Sequence, residues 1–492
     1  MRPFSLLIFL SLVHIIVSAQ TIVRGSRGEK FEQRTLIRDL SDPWSVVCGP
    51  DGRLWVTEAR GYRVSQVDPE TGRKEVLLDL NEKRLFPRYD QMQKETSGKP
   101  WPQSGLMGMA LHPDLLKGSP YVYLLYVYYF EGADKEDNGC KTDFGGCYFR
   151  AKLERYVYDQ SSKKLVDPVV LCDTIPQSND HNGGMLMVAP VGGKNYLFYS
   201  IGDMGAGQFD NAGRKNQVQN VRSYEGKILR FNTEPDGDAG SSDRWIPNDN
   251  PFNREKQSAV WTLGHRNPQG LAWAMMNGKA LIYSSEHGPF SDDEINLIRP
   301  GRNYGHPLVI GYADNNYNGL AAGVTEHRNL PGRWNTSYPT ITDEKKNAAK
   351  IGASYTDPIF SIAPNSHRVL SRLFRDMSEG RETPRWPAEA PSSLEVYTSD
   401  AIPGWKNSLL VPTLRGGKLI RIKLSDDGER TLGDTLQYFH ARERLRDVAT
   451  AQDGRTIYFA TDSSMITSGP TALNPTESGC RGCIISFTYI AD

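Results

Sequence analysis

The chain of 492 residues has no surplus of either charge: Lys+Arg and Asp+Glu both total 58. Without a basic excess there is nothing to neutralise a phosphate backbone, so nucleic acid is excluded as a partner class. Past the first twenty residues no apolar run approaches the roughly 20 residues a helix needs to cross a bilayer, and no membrane insertion is expected. Cysteine is sparse, at six residues. No second pair stands at zinc spacing from Cys480 and Cys483 in CRGC, and Ile484 occupies the place where c-type haem attachment requires histidine, so neither metal nor haem use is read from these thiols. Stretches of helical apolar spacing are also few.

What is present points to an exported, turn-rich β protein. Residues 1–19 combine Arg2, an apolar run from Phe4 to Val17 and the small residues Ser18 and Ala19, the pattern of a cleavable secretory signal, so a periplasmic or secreted location is expected. Residues 20–30 read as an N-terminal linker and 31–492 as the folded body. Length alone allows one large β domain or two to three smaller ones. Gly at 46, Pro at 30 and Tyr at 23 favour an all-β architecture. In an exported chain cysteines form disulfides. Local closure of Cys140 with Cys147 and of Cys480 with Cys483 is the favoured pairing, and Cys48 and Cys172 sit in apolar runs that suggest burial.

One layout recurs: a Gly/Asp turn, an apolar strand, then a polar or acidic loop. It is seen in GPDGRLWVTEARG from Gly49, VGGKNYLFYSIGD from Val191, NGKALIYSSEHG from Asn277 and QDGRTIYFATDSS from Gln452, with less regular copies from Ser104 and Asn407. Each unit has too little apolar face to stand alone, and radial stacking of small sheets buries it, so six units predict a six-bladed β-propeller. About 301–390 breaks the pattern as a polar, loop-like insertion. Long loops emerging from one face of a rigid scaffold are where binding concentrates, so the insertion is expected to wall a site.

Polar residues are densest in SNDHNGG (178–184), GDMGAGQF (202–209), LGHRNPQGLAW (263–273), SEHGPFSDDEINLI (285–298), RNYGHP (302–307) and RERLRDV (442–448). His181 beside Asn and Gly reads either as a structural hydrogen-bonder or as an acid–base group with a near-neutral pKa. Asp180 reads as an Asx turn or as the group that orients or electrostatically tunes the ring. Arg444 and Arg446, two apart, face one way on a strand, either as a solvated edge or as paired forks for an anion. Asp293 and Glu294 form an acidic turn or answer to a cation.

These runs, above all GHRNPQGLA and GP-x-SDDEINLI followed by NYG, resemble the soluble quinoprotein glucose dehydrogenase and aldose sugar dehydrogenase family from about Glu29 to the C-terminus. The resemblance implies a six-bladed propeller that uses pyrroloquinoline quinone (PQQ) and Ca2+ to oxidise the anomeric carbon of aldoses. It makes His181 the general base, with Asp180 and Asp203 beside it. It sets Arg266 and Asn267 at the quinone carbonyls, and Gln103, Trp386, Arg415, Arg444 and Arg446 around the cofactor. Gln208, Phe209 and Trp386 fall at the sugar. The backbone carbonyls of Gly288 and Pro289 correspond to a calcium site at the cofactor, and Asp293, Glu294, the Tyr304 backbone carbonyl, Asp314 and Glu344 to a second calcium. The sequence departs from the family at Arg415 for lysine, Ala388 for threonine, Phe209 for leucine and Thr383 for tyrosine, and it lacks the cysteine pair before the tryptophan. The expected partners are an aldose, an electron acceptor of unspecified identity and, as one assembly, a second copy in a homodimer. Two rival readings stay open: a metal-dependent lactonase-type hydrolase, which needs several side-chain ligands converging at the channel mouth, and a binding propeller without catalysis.

Overall fold

The computed structural model describes residues 21–86, 105–131, 144–237, 243–381, 386–462 and 480–491. The leader, Gln103, Cys140 and Thr383 lie outside the described residues. Strands dominate and fall into six antiparallel sheets, one per blade. The innermost strands are Pro43–Cys48, Leu106–Leu111, Leu186–Val191, Pro268–Met276, Glu395–Tyr397 and Arg444–Thr450. Residues from all six line one apolar cavity of about 520 Å³, which marks the propeller axis. The six sequence repeats fall one to a blade.

Local chemistry explains the hairpins. Asn277 and Gly278 (φ 46° and 75°) join Pro268–Met276 to Lys279–Glu286, and Gly192 and Gly193 (φ 58° and 84°) join Leu186–Val191 to Lys194–Ile201. Two positive φ values in succession give the turn twist that matches paired strands, and Asn-Gly and Gly-Gly adopt them at least cost. The strands then bury both faces between neighbouring blades; all five residues of Leu54–Glu58 and all six of Asp293–Ile298 are buried.

The last blade is built from both ends of the chain. Its order runs from Arg444–Thr450 through Thr456–Asp462 and Ile484–Ile490 to Lys30–Ile37 and finally Thr21–Arg24. The expected linker at 20–30 is therefore corrected: Thr21–Arg24 pairs antiparallel with Lys30–Ile37, from Thr21 opposite Gln33 to Arg24 opposite Lys30. Glu29 stabilises the connecting turn, where its carbonyl accepts from the Gly25 amide and its side chain from the Arg27 amide. Phe31, fully buried, packs against Trp405, Phe439 and Tyr489 at centroid distances of 5.7, 5.0 and 5.9 Å.

The insertion is also more ordered than its composition suggests. It carries the helices Glu344–Ile351 and His367–Ser378 and the strand Phe360–Ile362. Asp343 caps the first helix by accepting from the Lys346 amide at 3.0 Å. In the second, Leu370, Leu373, Phe374 and Met377 are buried at helical spacing and join Phe290, Tyr317, Trp334 and Tyr338 in a core of their own. Four apolar positions in a polar background were enough to fold a helix.

Cys480 and Cys483 are disulfide-bonded, and Cys147 is disulfide-bonded as well. Cys48 and Cys172 are free and half-buried, not fully buried as expected, because each lies toward a strand margin or bulge. If the closing strand holds the ring, Phe31→Ala is expected to lower unfolding free energy by about 3–5 kcal/mol, the usual cost of deleting a buried aromatic. Chemical denaturation followed by tryptophan fluorescence checks this, and a change below about 1 kcal/mol counts against the closing role.

Candidate functional site

A second cavity, of about 390 Å³, opens at the end of the channel where the innermost strands begin. Its lining includes Asp180, His181, Gln208, Phe209, Arg266, Gly288, Pro289, Asp293, Trp386, Ala388, Arg415, Arg444 and Arg446. Loops at the strand ends and the inserted segment thus bring together residues separated by more than 260 positions in sequence. Its volume lies in the range typical of small-molecule sites.

His181 sits at the bend before Leu186–Val191 with φ 52°, and the turn is tight: a Cβ on Gly202 would stand 2.1 Å from the His181 carbonyl oxygen. Its Nδ1 is 2.7 Å from Asp203 Oδ1, and its Nε2 is 2.8 Å from Gln208 Nε2. The Gln208 amide is fully engaged. Its Oε1 accepts from Arg266 Nη2 at 2.6 Å and its Nε2 donates to Asp180 Oδ2 at 2.7 Å. The second amide N–H therefore donates to His181 Nε2, which makes Nε2 the acceptor and Nδ1 the N–H donor to Asp203. The partner of the ring is thus Asp203, fully buried behind it, whereas Asp180 accepts from Gln208 and from the His181 amide. Orientation of the ring thus falls to Asp203, while Asp180 Oδ1, 3.8 Å from His181 Nε2, stands where it can tune the ring electrostatically.

Asp203 is held by four further donors: the Gly205 amide (3.0 Å), His306 Nε2 (2.9 Å), Tyr338 Oη (2.7 Å) and Asn216 Nδ2 (3.4 Å). Burial works against its charge, yet His181 and His306 keep its carboxyl well below the ordinary carboxylate range. His306 itself is pushed down by burial.

Four guanidinium groups face the same cavity. Arg266 donates to the Gly288 carbonyl (3.0 Å) and the His287 carbonyl (3.3 Å), while its buried Nε has no partner among the described residues. Arg444 Nε (3.0 Å) and Arg446 Nη2 (2.6 Å) converge on Asp462 Oδ2, so the two forks share a face as their spacing predicted, despite a register shift between Leu445 and Asp447. Arg446 also donates to Gln269 Oε1 at 2.9 Å and lies 4.2 Å from the Trp44 ring. Arg415 donates to the carbonyls of Trp386 and Ala388 and lies 5.7 Å from the Trp386 ring.

Several expected residues stand elsewhere. Asn267 does not line the cavity; it is buried behind it, where its Oδ1 accepts from the Gly183 amide at 3.1 Å and its Nδ2 stands 3.3 Å from His287 Nδ1. The donor set for a second calcium is divided. Asp293 and Glu294 are successive residues of a strand and point to opposite faces. Asp293 accepts from the Gly288, Glu389 and Ala390 amides, and burial raises it to about 7. Glu294 turns the other way, beside Glu286 and Asn296, and accepts from the Gly311 amide at 2.9 Å. Glu344 accepts from the Ile310 and Tyr317 amides, and Asp314 is exposed. Among the described residues no three His, Cys, Asp or Glu side chains stand at metal-holding spacing.

Sequence reasoning passed over His287, His306, Tyr338, Gln269, Trp44 and Asp462. His287 and His306 lay inside quoted motifs, and Asp462 ends the sixth repeat in the acidic position common to the others. Gln269 likewise stands inside LGHRNPQGLAW, whereas Trp44 and Tyr338 carried no signal of their own.

Asp462, held below its ordinary range by Arg446 and Arg444 against the cost of burial, gives a pH prediction. A depressed carboxyl stabilises the fold fully above its unfolded pKa, near 3.9, and loses that contribution as the pH falls toward its folded value. Asp462→Asn is therefore expected to be less stable at pH 7, and to lose less further stability between about pH 4 and 2, than the parent chain. Thermal unfolding across that range measures it, and parallel curves for the two proteins would contradict the assignment.

A family model described as glucose/sorbosone dehydrogenase matches residues 40–340 and 343–467. Quinoprotein glucose dehydrogenase B of Acinetobacter calcoaceticus is 33% identical over 492 aligned positions, covering 95% of this chain and 92% of that protein. An aldose sugar dehydrogenase of Escherichia coli is 26% identical, covering 86% and 88%. Among solved structures, the PQQ-bound form of an aldose sugar dehydrogenase from Streptomyces coelicolor superposes with a TM-score of 0.58 at 23% identity, over 93% of this chain and 97% of that one. This last likeness concerns the fold. On the family match and the level of identity, the chain belongs to the glucose/sorbosone dehydrogenase family.

Proposed function

We propose that this chain oxidises aldose sugars at the anomeric carbon to lactones, with PQQ as its redox group and a calcium ion at the carbonyls of Gly288 and Pro289. The observation that carries the reading is the pairing, in one cavity, of an imidazole backed by a buried carboxylate with four arginines. Arg415, Arg444 and Arg446 line the cavity and suit the carboxylates of a planar anion. Arg415 keeps the positive charge where the family has lysine, and Ala388 offers only a backbone carbonyl, already used by Arg415. At Gly288 a Cβ would fall 1.9 Å from the Ser291 carbonyl oxygen, so only glycine allows this tight carbonyl-bearing turn. Carbonyl oxygens of this kind suit a hard cation, which would take the Gly288 oxygen in place of its hydrogen bond from Arg266 Nη1.

When bound, PQQ supplies the two-electron acceptor for the anomeric hydride, and calcium beside it makes that acceptor more electrophilic. The protein's part is proton transfer and placement. His181 Nε2 takes the anomeric hydroxyl proton after the sugar displaces the Gln208 amide from it. Asp203 holds Nδ1–H, which keeps Nε2 as the acceptor, and stabilises the imidazolium that forms. Arg266 places fixed positive charge where negative charge grows. Phe209, 44% exposed, and Trp386 offer apolar faces to the sugar ring. We place the chain in an oxidising compartment after export, a reading supported by its disulfides.

The test is reconstitution of purified apoprotein with PQQ and calcium, followed by dye reduction with a panel of aldoses. Absence of both sugar-dependent dye reduction and a quinone spectral change would overturn the proposal. His181→Gln is expected to lower kcat by about 10²–10⁴-fold while PQQ affinity stays close to that of the parent chain. Asp203→Asn, which removes the anionic partner of Nδ1–H, is expected to lower kcat by about 10³–10⁴-fold; stopped-flow reduction of the loaded enzyme measures both.

A further inference from the structure

The inserted segment reaches into the acid–base machinery from more than 120 residues away in sequence. Tyr338 Oη donates to Asp203 Oδ2 at 2.7 Å, and the Tyr338 ring, 5% exposed, stands edge-on to His306 with centroids 5.6 Å apart. Its two neighbours hold the loop that carries Gln208. Thr336 Oγ1 donates to the Gly207 carbonyl, and it also accepts from the Tyr338 amide at 3.1 Å. The Ser337 amide donates to the Ala212 carbonyl at 2.9 Å, and Ser337 Oγ donates to the Arg214 carbonyl at 2.7 Å.

Steric fit makes this clasp specific. Gly207 has φ 102°, and a Cβ there would lie 2.4 Å from the Tyr338 ring. The ring thus lies flush on a backbone that only glycine provides, one residue before the side chain that bridges His181, Asp180 and Arg266. Tyr338 also belongs to the insertion's own core with Trp334, Ile341 and Phe374, so its position is set by the insertion, not by the blades.

We propose that residues 336–338 belong to the catalytic base as its support: Tyr338 is a positioning residue that acts through Asp203 on the tautomer and basicity of His181, while Thr336 and Ser337 fix the turn that presents Gln208. This rests on the reading of His181 as the general base. The sign follows from the bond. Removing one O–H donor leaves Asp203 a more basic carboxylate, which favours the protonated form of the neighbouring imidazole. The other charged or titratable groups around His181 are Asp180, His287 and His306, with Arg266 linked to it through Gln208, and Tyr338→Phe leaves all four in place.

Tyr338→Phe keeps the buried ring and deletes only the hydroxyl. The acid limb of kcat/KM is expected to move to higher pH by about half a unit to one unit, with PQQ affinity unchanged. A second readout is independent of turnover: the ¹⁵N imidazole titration of His181 in selectively labelled apoprotein, among nine histidines, moves in the same direction. Coincidence of both the acid limb and the His181 titration with those of the parent chain overturns the proposal. Should Tyr338→Phe fail to fold, Thr336→Val spares the ring and carries the test. Loosening of the Gln208 turn is then expected to raise the sugar KM several-fold, and an unchanged KM overturns the inference. A parent protein that oxidises no aldose defeats the functional reading instead, and the imidazole titration still decides whether Tyr338 acts on His181.

Discussion

Ring closure is the constraint on which the rest of the molecule depends. A propeller blade buries its faces only against two neighbours, so six blades are stable together and none is stable at a free end. Here the seam is sealed by Lys30–Ile37 from one end of the chain pairing with Ile484–Ile490 from the other, with Thr21–Arg24 added outside. The aromatic cluster around Phe31, Trp405, Phe439 and Phe487 fills the space between that blade and its predecessor. With the ring closed, the first residues of six inner strands are forced to one end of the axis. There the loops need no further device to bring His181, Arg266 and Arg446 together.

The cavity illustrates how charge is distributed on such a scaffold. Asp462 bridges Arg444 and Arg446, and Asp203 gathers His181, His306 and Tyr338, so each acid is buried with more than one donor. Buried charge is tolerated when it is fully hydrogen-bonded, and these sites meet that condition on the acid side. The cationic side lines the cavity with the side chains of Arg266, Arg415, Arg444 and Arg446. A cavity with that balance favours an anionic occupant with several acceptor groups.

Much of this was legible in the sequence. Repeats with Asn-Gly and Gly-Gly turns marked the blades because two-residue hairpins impose backbone angles that few residues accept. Arg444 and Arg446 announced a shared face because strands alternate. The same rule, applied to Asp293 and Glu294, would have separated them. Helical segments within 301–390 were hidden because an amphipathic helix shows four apolar residues among many polar ones. Tyr338 and Trp44 were invisible for a different reason: their roles exist only through contact with residues far away in sequence, and no local pattern encodes such a contact.

The small disulfide turn at Cys480 and Cys483 has a bearing on the far side of the blade. Thr461 donates to the Cys480 carbonyl and accepts from the Cys483 amide, and the Gly482 carbonyl accepts from the Leu40 amide, so the covalent loop fastens both flanks of the seam. The residue after Thr461 is Asp462, the shared anchor of two cavity arginines. The cross-link thereby restrains the strand end that carries the anchor of those two forks, and the freedom a looser seam would keep is given up when the chain folds.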